Sequence, residues 1–251
     1  MLDLAVIFPI NVLEDAAEAI IKFFQDQVGL SWGLAIIALT FSLRLAVLPL
    51  SLRGIRSMRR MQLIAPRLKE LQERYKDDRE RLQREQLQLF QREGVNPLAS
   101  CFPFILQIPF FIAVYQLLRS DGFVQDVKAS GASQSFLFID SIIQKPEGAE
   151  TVVLIILFVS TTVLSILYTM TTTTATGAQR FIPLAFVAIF APVIASQPAG
   201  LGLYWIATNV WSLMQQIVVQ RVIPSPAPPS ADEVKREKAP PPPPRKRKRR
   251  R

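Results

Sequence analysis

The side chains able to do chemistry in this chain are few, and most stand in apolar surroundings. Arg44 is the single charge between Leu30 and Leu52 (LSWGLAIIALTFSLRLAVLPLSL). Thr40 precedes it by one helical turn and Ser51 follows by two, on the same face. Gln107 lies in a second apolar stretch, and Thr161, Thr162 and Ser165 lie in a third. Asn209, Gln215 and Gln216 belong to the last one. These residues supply a positive charge and hydrogen bonds, not a nucleophile with its base. The chain has no His, which removes Ser-His-Asp triads, Cys-His pairs and His-bearing metal sites together. Its one Cys, Cys101, cannot close an intramolecular disulfide. No Asp or Glu sits within an apolar stretch, so a proton-coupled carrier lacks its usual relay. No phosphate-binding loop is present either. The reading is a protein that is not an enzyme, without cofactor or metal, whose polar groups line a wet cavity. Snorkelling competes with that reading for Arg44, which lies about 12 Å from the end of its stretch at 1.5 Å per residue. An Arg left at mid-span costs roughly 2.5–3.5 kcal/mol.

The elements that must position these groups follow from charge and hydropathy. Half of the 251 residues are hydrophobic, yet the net charge is +9. Residues 1–29 hold five acids and one base, 53–93 hold twelve bases and seven acids, 120–150 two bases and five acids, and 221–251 eleven bases and three acids. Between these blocks lie apolar stretches of about the 20 residues that a spanning helix needs. Five spans are expected, at 30–52, 97–118, 151–171, 181–197 and 201–221, with Gln197-Pro198-Ala199-Gly200 breaking the last long run. The fold class is therefore an all-α membrane protein. Lys and Arg concentrate on the cytoplasmic side of membrane proteins, which places 53–93 and the C-terminus inside, and 1–29 and the loop 119–150 outside.

Three further segments carry readings of their own. Residues 1–29 lack the basic start and small-residue cleavage site of a signal peptide. Their Val12, Ala16, Ala19, Ile20 and Phe23 recur at helical spacing opposite Glu14, Asp15, Glu18 and Lys22, as in an amphipathic helix on the outer surface. In 53–93, Ile64, Leu68, Leu71 and Tyr75 repeat at helical spacing, Asp77-Asp78 interrupts, and Leu82 and Leu89 resume. That is a cytoplasmic helical hairpin, or simply a solvated charged face. The tail 222–251 is Pro-rich and ends in seven consecutive bases, a composition that favours disorder and attraction to lipid headgroups or RNA.

Three sequence runs make a resemblance. Thr40-Phe-Ser-Leu-Arg44 with the later Leu48-Pro49-Leu50, the run Asn96–Tyr115 (NPLASCFPFILQIPFFIAVY), and Gly200–Gln216 (GLGLYWIATNVWSLMQQ) resemble the YidC-type membrane protein insertases. That family includes mitochondrial oxidase-assembly and chloroplast albino-type relatives. The resemblance covers roughly residues 28–222 and includes the Asp77-Asp78 hairpin. It implies five transmembrane helices around a hydrophilic groove that opens to the cytoplasm and is closed outside. Arg44 would be its positive centre, with Thr40 and Gln107 nearby and Trp205 along the exit path; an interfacial-belt role is the alternative for Trp205. The implied function is insertion and chaperoning of nascent membrane proteins into the lipid bilayer, alone or beside a Sec translocon. The ribosome is an implied partner of hairpin and tail. Relative to enterobacterial members the sequence has no additional N-terminal span or large outer domain, and relative to many Gram-positive ones no lipid-anchor Cys. A small-solute channel or transporter, or a membrane tether for ribosomes or RNA, remain the rival classes.

Overall fold

The computed structural model describes residues 10–95, 102–131, 133–172 and 182–222. The basic tail and the Asn96–Cys101 part of the second motif lie outside them. Among the described residues the chain forms nine helices and no strand beyond one isolated bridge. They are α1 (Ile10–Asp26), α2 (Trp32–Ala46), α3 (Leu48–Arg74), α4 (Arg79–Arg92), α5 (Phe102–Arg119), α6 (Asp121–Ala129), α7 (Gly148–Thr172), α8 (Ile182–Ser196) and α9 (Ala199–Val222).

The helix α9 is the centre of the bundle. It packs most closely on α7 and α2 and also touches α5 and α8, while α1 packs on both α2 and α5. The helix α7 shows what surrounds the bundle. It buries Leu154, Phe158 and Thr162, one turn apart, and exposes Val152, Val153, Ile156, Leu157, Leu164 and Leu167. An element that is apolar on its free face as well as its packed one suits lipid, not water. Its segment Gly148–Tyr168, 21 residues, is by itself long and apolar enough to cross a bilayer.

The apolar stretch 30–52 is not one straight helix. It breaks at Val47 (φ −92°, ψ 0°), and the two axes meet at 59°. The cause is local: Pro49, in the first turn of α3, has no N–H to donate, and its ring would clash with the carbonyl of Leu45 in a continuous helix. Beyond the break, α3 runs without interruption from the apolar stretch into the basic block, so no helix boundary falls at residue 53. Pro66 therefore lies deep inside a 27-residue helix. The chain turns at Tyr75–Asp78, where the Asp78 carboxylate accepts the Arg81 N–H at 3.0 Å and caps α4. An Arg67–Glu93 ion pair at 2.5 Å ties the far end of α4 back to α3.

The opposite end of the bundle is closed by α1, α6 and the loop before α7. Trp32, at the start of α2, packs edge-on against Phe123 with ring centroids 5.3 Å apart, and its Nε1 donates to Ser130 Oγ at 3.0 Å. Ala17, Ile21, Phe123, Val127, Leu117 and Ile36 are fully buried together. Lys22 of α1 holds both Glu18 and Asp126 at 2.7 Å. Hydrogen bonds to these two carboxylates raise its amino group above the ordinary lysine range. The face that α1 turns to the bundle carries Ala17 and Ile21, while Val12 and Phe23, of the stripe read from its spacing as lying on the membrane surface, stay exposed. The helix carries two apolar stripes, and only packing decides which one is covered. The loop is fastened to the start of α9, whose Ala199 and Gly200 N–H groups donate to the carbonyls of Gln144 and Ile142 at 2.8 and 2.9 Å. These bonds satisfy donors that a helix N-terminus otherwise leaves open. A Cβ at Gly200 would meet the Ile142 carbonyl oxygen at 2.9 Å, so the close approach needs glycine.

Candidate functional site

The break at Val47 creates the site. It turns α3 so that Ser51 faces the same cleft as Thr40 and Arg44 of α2, although the helix between them is interrupted. The cleft is lined by Thr40, Leu43, Arg44, Val47 and Ser51 on one side, Gln107 and Phe110 of α5 on another, and Tyr204 of α9 at the back. Arg44 stands in the last turn of α2, where the helix carbonyls favour a cation.

A chain of hydrogen bonds fixes the polar groups. Arg44 Nη2 donates to Gln107 Oε1 at 2.5 Å, and Gln107 Nε2 donates to the Tyr204 hydroxyl at 2.6 Å. The Thr40 hydroxyl donates to the Ile36 carbonyl at 2.8 Å within its own helix, so it presents lone pairs to the cleft. Among the described residues no carboxylate pairs with Arg44 or lines the cleft. The guanidinium is held, and its charge is not cancelled.

Of the four residues singled out from the sequence, the structure brings together Arg44, Thr40 and Gln107. Trp205 does not line this cleft. It is 5% exposed and packs among Phe190, Phe111 and Phe158, with centroids 4.9, 5.2 and 6.1 Å away. Successive helix residues point about 100° apart, so while Tyr204 meets Gln107 of α5, Trp205 turns to Phe111, one turn further along α5, and to α7 and α8. Asn209, one turn after Trp205, also turns to α7, where its Nδ2 donates to Thr162 Oγ1 at 2.7 Å and to Thr161 Oγ1 at 3.2 Å. These three polar residues, read from the sequence as candidates for a wet cavity, instead join two helices. Trp211 stacks edge-on with Phe41 at 5.1 Å and donates to Gln215 at 2.9 Å. Tyr204 lines the cleft, and the sequence reading did not select it. Its signal was present: Tyr204, Thr208, Trp211 and Gln215 follow one another at helical spacing along one face.

Comparison with known proteins places this geometry in a family. The model of the 60Kd inner membrane protein family matches residues 23–226. The chain belongs to that family. The family match extends over the cleft, the hairpin and all the helices from α2 to α9. Among curated relatives, the membrane protein insertase YidC of Streptomyces avermitilis is 30% identical over 234 residues, covering 82% of this chain and 55% of that protein. The protein of the same name from Wolinella succinogenes is 33% identical over 196 residues, covering 77% and 34%. That from Francisella philomiragia is 36% identical over 192 residues, covering 76% and 33%. The chain thus spans about a third to a half of the length of these relatives. A crystal structure of an active YidC insertase with its first transmembrane domain resolved matches with a TM-score of 0.61 at 23% identity, over 82% of this chain and 46% of that one. That likeness is one of fold, and it agrees with an all-helical membrane protein.

Proposed function

We propose that this family member is a membrane protein insertase and chaperone. Its helices would form five spans with the N-terminus outside and the C-terminus in the cytoplasm. The observation that carries the reading is an Arg44 charge held by neutral partners, in a polar cleft of an otherwise apolar bundle, with apolar packing closing the bundle at the end away from the hairpin.

The mechanism follows from distance, water and charge. A translocated segment of a nascent membrane protein must cross roughly 30 Å of hydrocarbon. The straight part of α2 has 15 residues, about 22 Å at 1.5 Å per residue. Arg44 and the cleft sit at its hairpin-side end, so a client reaching them from the cytoplasm has already passed part of the barrier. At about 4 Å and an effective dielectric near 20, a carboxylate is attracted to Arg44 by about 4 kcal/mol before its desolvation is counted. The client's apolar segment then moves sideways into lipid, gaining about 0.8 kcal/mol per buried CH₂. No covalent step or nucleotide enters.

Partners in this reading are nascent membrane proteins and the lipid bilayer. The hairpin α3–α4 and the basic tail serve as docking surfaces for the ribosome, and a Sec translocon acts beside the bundle for longer clients. The test is reconstitution of the full chain in proteoliposomes with a short client bearing an acidic translocated segment, and a photocrosslinker at Thr40 or Phe110. Insertion with crosslinks to the stalled client supports the reading. Solute flux without client insertion would refute it.

A further inference from the structure

Resting on the insertase reading, we propose that Gln107 and Tyr204 are positioning residues that keep the Arg44 charge uncompensated and give the cleft its preference for acidic over neutral client segments. The chain of donors and acceptors has only one consistent direction. Arg44 can only donate, so the atom of Gln107 at 2.5 Å from its Nη2 must be the amide oxygen. The Gln107 nitrogen is then 2.6 Å from the Tyr204 hydroxyl, which accepts from it. Tyr204 is 2% exposed and cannot turn away to solvent. Its hydroxyl, able to donate or accept, anchors the far end of the amide in place, and the guanidinium, which can only donate, sets the carbonyl toward itself. The opposite orientation would set an N–H₂ group against a cation.

The charge of the acceptor matters more than its geometry. A neutral amide satisfies one guanidinium N–H and leaves the full positive charge, whereas a carboxylate in the same place would form a charge-assisted pair and cancel it. Among the described residues no carboxylate lines the cleft, and the other polar neighbours, Thr40, Ser51 and Tyr204, are neutral hydroxyls. Gln107 Oε1 thus stands where an incoming client carboxylate would bind, as a weaker ligand that the client displaces. Selectivity is the difference between the two acceptors. It would vanish if the resident acceptor were itself an anion.

Two clients, identical except that the Asp and Glu of the translocated segment are replaced by Asn and Gln, give the readout. The acid-to-neutral ratio of insertion is measured with the full chain in proteoliposomes. A role for Gln107 in packing alone would lower both yields together and leave this ratio unmoved. Gln107→Glu, equal in length, is expected to lower the ratio at least tenfold. Tyr204→Phe is expected to lower it severalfold in the original background and not at all in a Gln107→Leu background, because its hydroxyl acts only through Gln107. A ratio changed less than twofold by Gln107→Glu overturns the proposal. So does an equal effect of Tyr204→Phe in both backgrounds, which also decides the matter if Gln107→Glu does not accumulate in the membrane. Failure of the unsubstituted chain to insert either client refutes the insertase reading itself, an outcome distinct from both.

Discussion

Gly33 sits one residue into α2, directly beneath the ring of Phe136 from the loop before α7. A Cβ placed there would lie 2.3 Å from Phe136 Cγ and 2.5 Å from its Cβ and Cδ2. Carbon atoms in contact prefer about 3.5–4.0 Å, so the overlap exceeds an ångström at three atoms, one of them next to the loop backbone. The loop has little room to yield. Phe136 and Ile139 exchange both backbone hydrogen bonds at 2.8 Å, Ile139 and Ile142 are buried, and Leu137 between them is already at φ +54°. In an open helix, Gly→Ala stabilises by roughly 0.5–1 kcal/mol, while overpacking costs about 1–3 kcal/mol. With this overlap the cost lies at the upper end, and Gly33→Ala should destabilise by about 2 kcal/mol. For a chain of this size that is about 4–8 °C in Tm, measured by thermal unfolding in detergent micelles. Phe136→Ala removes the two ring atoms from the clash, so in that background Gly33→Ala should cost at least about 1 kcal/mol less. A Gly33→Ala protein as stable as the original, or a double-mutant cycle without coupling, would refute the packing of this loop on α2.

Other expectations follow from the same contacts. Trp205→Ala opens a cavity among three phenylalanines and should cost about 3–5 kcal/mol, lowering insertion of acidic and neutral clients alike. A selective loss for acidic clients would put Trp205 back in the cleft. For topology, with Cys101→Ser as background, Ser133→Cys should react with an impermeant thiol reagent from outside and Ser57→Cys should not. The opposite labelling pattern overturns N-out, C-in.

Arg44 was legible because a lone cation in a 23-residue apolar run has few reasons to be there, and Thr40 and Ser51 followed from its helical face. The stretch 30–52 read as one span, and only the structure shows the break before Pro49 and the 59° bend that brings Ser51 toward Arg44. Tyr204 and Trp205 are adjacent aromatic residues in one motif. Hydropathy cannot separate them, because each suits both a cleft and an apolar core. Asn209, Thr161 and Thr162 posed the same ambiguity: a polar group within a span can face water or another polar group, and here they found each other. In α1, spacing showed an amphipathic helix but not which of its two apolar stripes would be covered.

The sequence by itself determined the class of molecule. Runs of apolar residues near the length of a bilayer, separated by blocks of alternating charge, permit little besides a helical membrane protein, because backbone polar groups in lipid must be satisfied within the helix. It also determined the absence of His-dependent chemistry and the position of the one charge within the first apolar run. Only the tertiary structure decided what that charge meets. The azimuth of α9 turns Tyr204 toward Gln107 and Trp205 away from it. That rotation is set by side chains of α2, α5, α7 and α8, which are distant in sequence and whose mutual fit no local pattern records.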